Sequence, residues 1–145
     1  MLSSNKEEKM IISSGALFKC EKTNRCLFVL RSSQSSYPSR WSLVGGKMHT
    51  NEKIIDGLIR EIKEEFGFLP NITKWAPFNC FTSIDKKFQY HSVLLLTPDE
   101  FIPNLNNEND GFCWCTIDNP PKPLHPRLRE VLTSNILIES IKNIK

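Results

Sequence analysis

The stretch Gly46 to Phe68, GKMHTNEKIIDGLIREIKEEFGF, decides how this chain is read. It sets a glycine-ended loop before a helix that carries three carboxylates within one short run, Glu61, Glu64 and Glu65. Carboxylates four apart stack on one helix face and those three apart nearly do, so they repel and call for compensation. A hard divalent cation such as Mg²⁺ supplies it, because it takes oxygen ligands and commonly binds phosphates at the same time. At about 100° per residue, Ile54, Ile55, Leu58, Ile59, Ile62 and Phe66 fill one arc and are expected in the core. Glu61 and Glu65 fall at the edge of that arc and Glu64 a little further round, which predicts partial shielding from water. Gly57 projects into the same sector. A glycine inside a helix costs about 1 kcal/mol relative to alanine, so its position predicts that something approaches the backbone there. Arg60 is four residues from both Asp56 and Glu64 and can pair with either. Gly67 is placed to end the helix in the left-handed conformation.

The spacing carries a resemblance. Gly46, five residues, Glu52, seven residues, Arg60-Glu61, an aliphatic at Ile62, one residue, Glu64-Glu65, one residue, Gly67 and Phe68 match the Nudix box at every specified position. The chain resembles a Nudix hydrolase, and the motif covers about one sixth of it. The resemblance implies an α/β fold, the α/β/α Nudix sandwich, with a mixed sheet, the box as loop–helix–loop and a C-terminal helix. It also implies hydrolysis of the pyrophosphate bond in a nucleoside diphosphate linked to another moiety, by attack of metal-activated water on phosphorus. Carried onto matching positions, Glu61, Glu64 and Glu65 ligate Mg²⁺ or Mn²⁺ with help from the carbonyl of Gly46. Glu52 and Arg60 hold loop and helix in register, and Lys47 contacts a substrate phosphate. The general base is Glu61 or Glu64 within the box; outside it, Glu108 is a candidate to complete the metal site, with Asp110 as a competitor. Val44, His49, Gly57 and Leu58 depart from the usual pattern without touching the three acids, and His49 is read as an exposed loop residue.

A length of 145 residues predicts one domain with a single sizeable core. The net charge of +3 comes from 19 basic and 16 acidic residues without a block of like charge, so no nucleic-acid-binding tail is expected. No apolar run approaches a membrane span, and the polar start MLSSNKEEKM has no signal-peptide core. Five scattered cysteines, an odd number with no C-x-x-C pair, argue against a disulfide framework or zinc site and for a reducing, cytoplasmic setting. Cys113 and Cys115 alternate around Trp114 and are expected on one side of a strand.

Strands are expected over Lys9 to Glu21, Cys26 to Arg31, Trp41 to Val44, Lys74 to Ile84, Phe88 to Leu96 and Phe112 to Ile117. Ser32 to Ser39 reads as a mobile serine-rich loop, Pro103 to Gly111 as an asparagine-rich loop, and the chain from Pro126 onward as one terminal helix. Arg31, Tyr37, Arg40 and Trp41 are placed to contact a base or phosphate, and Phe81, Phe88 and Tyr90 to line a pocket or pack in the core. The expected partner is a small nucleotide derivative, with no membrane and no specific nucleic acid; the resemblance allows a homodimer. A nucleotide-binding or sensing module without catalysis is the alternative, and an isomerase or glycosyl-bond hydrolase a third reading; retention of every box glutamate favours the hydrolase.

Overall fold

In the computed structural model, residues 9–145 are described. The polar opening stretch read above as lacking a signal-peptide core lies, up to Glu8, outside them. The strand β1 (Ile11–Cys20) is the centre of the sheet. It pairs in parallel with β6 (Phe88–Thr97) over ten residues, from Ile11 opposite Phe88 to Cys20 opposite Thr97. Beyond β6 lies the antiparallel β5 (Lys74–Thr82). On the other edge of β1 run β2 (Cys26–Arg31) and β4 (Val44–Lys47). The strand β2 then carries the short β3 (Trp41–Ser42) and β7 (Asn109–Cys115).

Because side chains alternate across a strand, β1 feeds two cores. Ala16, Phe18 and Cys20 join Val93 and Leu95 on one face, where the helix α1 (Ile54–Phe66) presses Leu58, Ile62 and Phe66, all fully buried. Leu17 joins Leu94 and Leu96 on the other, under α2 (Pro126–Leu132) and α3 (Asn135–Asn143), which contribute Leu128 and Ile141. This is the expected α/β/α arrangement. Lys19 also points to the second face: its buried ammonium donates to the carbonyls of Ile141, Lys142 and Ile144 at 2.9, 2.9 and 3.1 Å, fastening the end of α3 to the sheet.

Three elements, one core residue and one loop differ from expectation. The terminal helix is two, because Thr133 folds its hydroxyl onto the carbonyl of Glu130 at 2.8 Å while Ser134 caps α3 at the Leu137 amide; such side chains compete with the helical ladder. The segment from Trp41 is two strands interrupted at Leu43, with β4 running through Gly45-Gly46 to Lys47. The strand β7 begins three residues early, at Asn109, because an irregularity between Leu30 and Arg31 lets Asn109 pair with Arg31. Ile55, expected in the core, is 52% exposed: it points to the same arc as Ile62 and Phe66 but stands in the first helical turn. The serine-rich loop is also tied down: Ser32 donates to the Asn107 carbonyl at 2.6 Å and Ser35 to that of Glu108 at 2.7 Å.

Candidate active site

The helix α1 and the strand β4 bring the acids to the mouth of the sheet. Gly46 passes so close to α1 that a Cβ on it would stand 2.7 Å from the Glu61 carboxylate carbon. Only a residue without a side chain permits that approach. Gly57, on the facing turn, is likewise filled from outside: a Cβ there would meet Met48 Sδ at 2.1 Å and Glu52 Oε1 at 2.8 Å. The close approach expected at Gly57 is therefore made by the box loop itself.

Arg60 ties this loop to the helix. Its Nε and Nη2 donate to the two oxygens of Glu52, each at 2.9 Å, and Nη2 also reaches the Lys47 carbonyl at 3.1 Å. Glu52 in turn accepts from the His49 amide at 2.9 Å. The Arg60 guanidinium beside it holds the Glu52 carboxyl down at about 2. Nη1 of Arg60 meets Glu61 at 2.9 Å and Glu64 at 3.5 Å. The pairing with Glu64 is one of the two that helix spacing allows; the stronger partner is Glu52, the loop acid that the family resemblance pairs with Arg60.

Glu61 and Glu65 are 8% and 3% exposed. Both oxygens of Glu65 are held, Oε1 by Asn109 Nδ2 at 2.8 Å and Oε2 by the Gly45 amide at 3.1 Å. Glu108 completes a cluster in which one oxygen from each of Glu61, Glu65 and Glu108 lies within 4.8 Å of the others. Its loop is docked on the end of α1, where Asn104 and Asn106 donate to the carbonyls of Phe66 and Glu65 at 3.0 and 3.2 Å. Phe101 anchors the same loop among Phe18, Phe66 and Trp114, at ring distances of 5.1, 5.8 and 5.3 Å. Burial pushes the Glu65 carboxyl up to about 8, the bonds from Asn109 and Gly45 oppose it, and the charges of Glu108 and Glu61 add to it. Glu61 is also raised, chiefly by burial and against the pull of Arg60.

Buried carboxylates resist ionisation unless positive charge arrives. The donor set is all oxygen, which suits Mg²⁺ or Mn²⁺ rather than a soft ion. The residues present fit such a cation. Glu64 stands apart from the cluster, its side chain 54% exposed, on a shallow groove shared with Lys47, His49, Arg60 and Glu61. Asp110 is exposed and outside the cluster.

Glu61, Glu65 and Glu108 lie in a cleft of about 640 Å³ that also takes in Arg31, Tyr37, Lys47, Phe88 and Tyr90. Arg40 and Trp41 do not line it. Trp41 packs with the second core, and its backbone amide and carbonyl are taken up by Pro123 and His125. Phe81 also lies outside the lining, yet its ring and that of Phe88 support Arg127, whose guanidinium carbon is 3.7 and 5.5 Å from the two ring centres. Arg127, His125 and Asn109 line the cleft and escaped the sequence reading. A signal existed only for Asn109, a polar side chain opening an apolar strand. Among the described residues, no helix is long and apolar enough to cross a membrane.

Comparison with known proteins agrees with this geometry. Residues 11–134 match the NUDIX domain family. The chain is 30% identical over 114 residues to the mRNA-decapping enzyme subunit 2 of Saccharomyces cerevisiae, covering 76% of this chain but only 11% of that protein. It is 27% identical over 115 residues to the nucleoside triphosphatase NudI of Escherichia coli, covering 72% of this chain and 76% of that one. Among solved structures, the MutT protein of Methanosarcina mazei superposes with a TM-score of 0.66 at 22% identity, over 94% of this chain and 96% of that one. The MutT NUDIX hydrolase of Burkholderia pseudomallei gives 0.65 at 22% identity, over 91% and 98%. The chain therefore belongs to the Nudix family.

Proposed function

We propose that this protein hydrolyses the pyrophosphate bond of a small nucleoside diphosphate derivative or nucleoside triphosphate, with Mg²⁺ or Mn²⁺ as cofactor, in a single domain. The observation that carries the reading is the gathering of Glu61, Glu65 and Glu108 in one cleft with Arg31, Lys47 and Arg127. Acids alone would repel a phosphate; the basic side chains supply the attraction for its oxygens. The relatives, a nucleoside triphosphatase and an mRNA-decapping enzyme subunit, support the class rather than a particular substrate. The five free cysteines support a reducing, cytoplasmic setting.

Glu61, Glu65 and Glu108 would hold the cation, joined by the Gly46 carbonyl at the closest approach of β4. When bound, the cation neutralises charge on the phosphate oxygens and lowers the pKa of water. The chain's own residues do the rest. Asn109 and Gly45 orient Glu65, and Arg60 fixes Glu61 while keeping Glu52 against the box loop. Glu64 shares the Nη1 of Arg60 with Glu61 and stays open to solvent outside the cluster; Glu61 or Glu64 would accept the proton from the attacking water. Lys47 and Arg31 bind phosphate, and Tyr37 with Phe88 offers ring surface to a base.

The test is a substrate panel with Mg²⁺ and then Mn²⁺: ADP-ribose, GDP-mannose, dinucleoside polyphosphates, NADH, FAD and ordinary and oxidised nucleoside triphosphates, with products separated by chromatography. EDTA-sensitive cleavage at a phosphoanhydride of one of them is expected. Silence across the panel with nucleotide binding intact would replace hydrolysis by nucleotide sensing.

A further inference from the structure

The strand β7 carries two thiols on one side. Cys113 and Cys115 flank Trp114, which turns the other way and donates from its indole to the Phe101 carbonyl at 3.0 Å. The two sulfurs are 3.3 Å apart, half-buried against the second core and outside the cleft. Extended residues two apart lie about 6.7 Å between Cα atoms, so this contact requires both side chains to turn toward each other.

We propose that Cys113 and Cys115 form a chelating dithiol that binds a thiophilic, three-coordinate Lewis acid, of which a trivalent organoarsenical is the representative. With sulfur bonds of about 2.3 Å, as in zinc thiolates, a 3.3 Å span gives a bite angle of about 92°. That angle suits a pyramidal centre with a lone pair. A tetrahedral ion would spread the sulfurs to about 3.8 Å and would need further ligands; among the described residues the only group able to gather three ligand atoms is the glutamate cluster. A disulfide fits less well, because the sulfurs would have to close to about 2.05 Å from a Cα separation at the upper end of the bridging range.

The setting also suits a product without charge. Burial, with the adjoining Cys115 thiol, pushes the Cys113 thiol up to about 12, so Cys113 rests as a thiol. An arsenical R–As=O reacts with two thiols to form two As–S bonds, and its oxygen leaves as water with both thiol protons. Arsenic stays trivalent, and no ion is left in the apolar packing.

The test is native mass spectrometry of the intact protein with phenylarsine oxide. One tightly held equivalent is expected, released by a competing dithiol such as dimercaprol and resistant to excess monothiol. C113S and C115S should each abolish it, and C80S, at an exposed thiol elsewhere, should leave it unchanged. No adduct, release of the wild-type adduct by monothiol as readily as by dithiol, or an adduct that survives in C113S or C115S would overturn the proposal. The monothiol competition uses wild-type protein and does not depend on either variant folding.

Discussion

Arg60 grips Glu52 at two points, Nε to Oε2 and Nη2 to Oε1, each at 2.9 Å, and with the same guanidinium reaches Glu61. One side chain thus joins the loop before α1 to an acid of the candidate metal site. Only a planar, forked cation can serve both partners at once.

Arg60→Lys keeps the charge and loses the fork. Metal affinity or turnover should fall by about 10–100-fold, the usual cost of losing a group that orients a ligand. Titration of Mg²⁺ into both proteins, alongside steady-state kinetics, checks this; an unchanged affinity and rate would show that the fork is not used.

Gly46→Ala places a methyl where the Glu61 carboxylate now lies, 2.7 Å from its carbon. The side chain must swing away from Glu65 and Glu108. A displacement of about 1 Å in such a group costs on the order of 100-fold in rate, so a loss of that size is expected while the thermal transition moves little.

The metal-free protein should lose stability as pH rises. Glu65 titrates near 8 in the folded chain, well above the value it takes when unfolded. Between the two, the native state keeps a proton that the unfolded state has given up, so this contribution is full below about 4.3 and is lost as pH climbs through about 8. Melting curves in EDTA at pH 5, 6.5 and 8 should show the decline, Glu65→Gln should flatten it, and Mg²⁺ should offset it with release of protons. A wild-type profile in EDTA as flat as that of the variant would remove the basis for a buried, protonated Glu65.

Lys19→Met should separate folding from chemistry. The substitution keeps an unbranched side chain but strips the donor from the carbonyls of Ile141, Lys142 and Ile144. Buried groups left unpaired cost about 1–3 kcal/mol, read as a loss of that size in urea unfolding with turnover per folded molecule unchanged.

Much of the fold was legible because it rests on local signals. Leu58, Ile62 and Phe66 recur at helical spacing and are the face that α1 buries; Gly67 ends the helix with φ 79° as a left-handed residue. The break at Thr133-Ser134 was less visible, since two hydroxyls had to outcompete a helical pattern that continues on either side. The site divided in the same way. Spacing places Glu61 and Glu65 on one flank of a helix, but the partnership with Glu108 depends on Asn104 and Asn106 docking onto the far end of α1, contacts set by tertiary packing. Trp41 and Arg40 fell outside the cleft for the same reason: local sequence does not say to which side a short strand turns its residues when it is held by Pro123 and His125. Arg127 had no local mark, because the aromatic support it rests on comes from a hairpin about 40 residues away.

The most direct measurement compares wild type, Glu65→Gln and Glu108→Gln for Mg²⁺-dependent cleavage of whichever panel nucleotide the wild type cleaves fastest. Each variant removes a ligand charge with almost no change in volume. Turnover should fall at least about 100-fold in both, with nearly unchanged secondary structure and a weakened response to Mg²⁺. Activity within a few fold of wild type in Glu65→Gln would contradict this, because the reaction would then not depend on the buried acid around which the cleft is built.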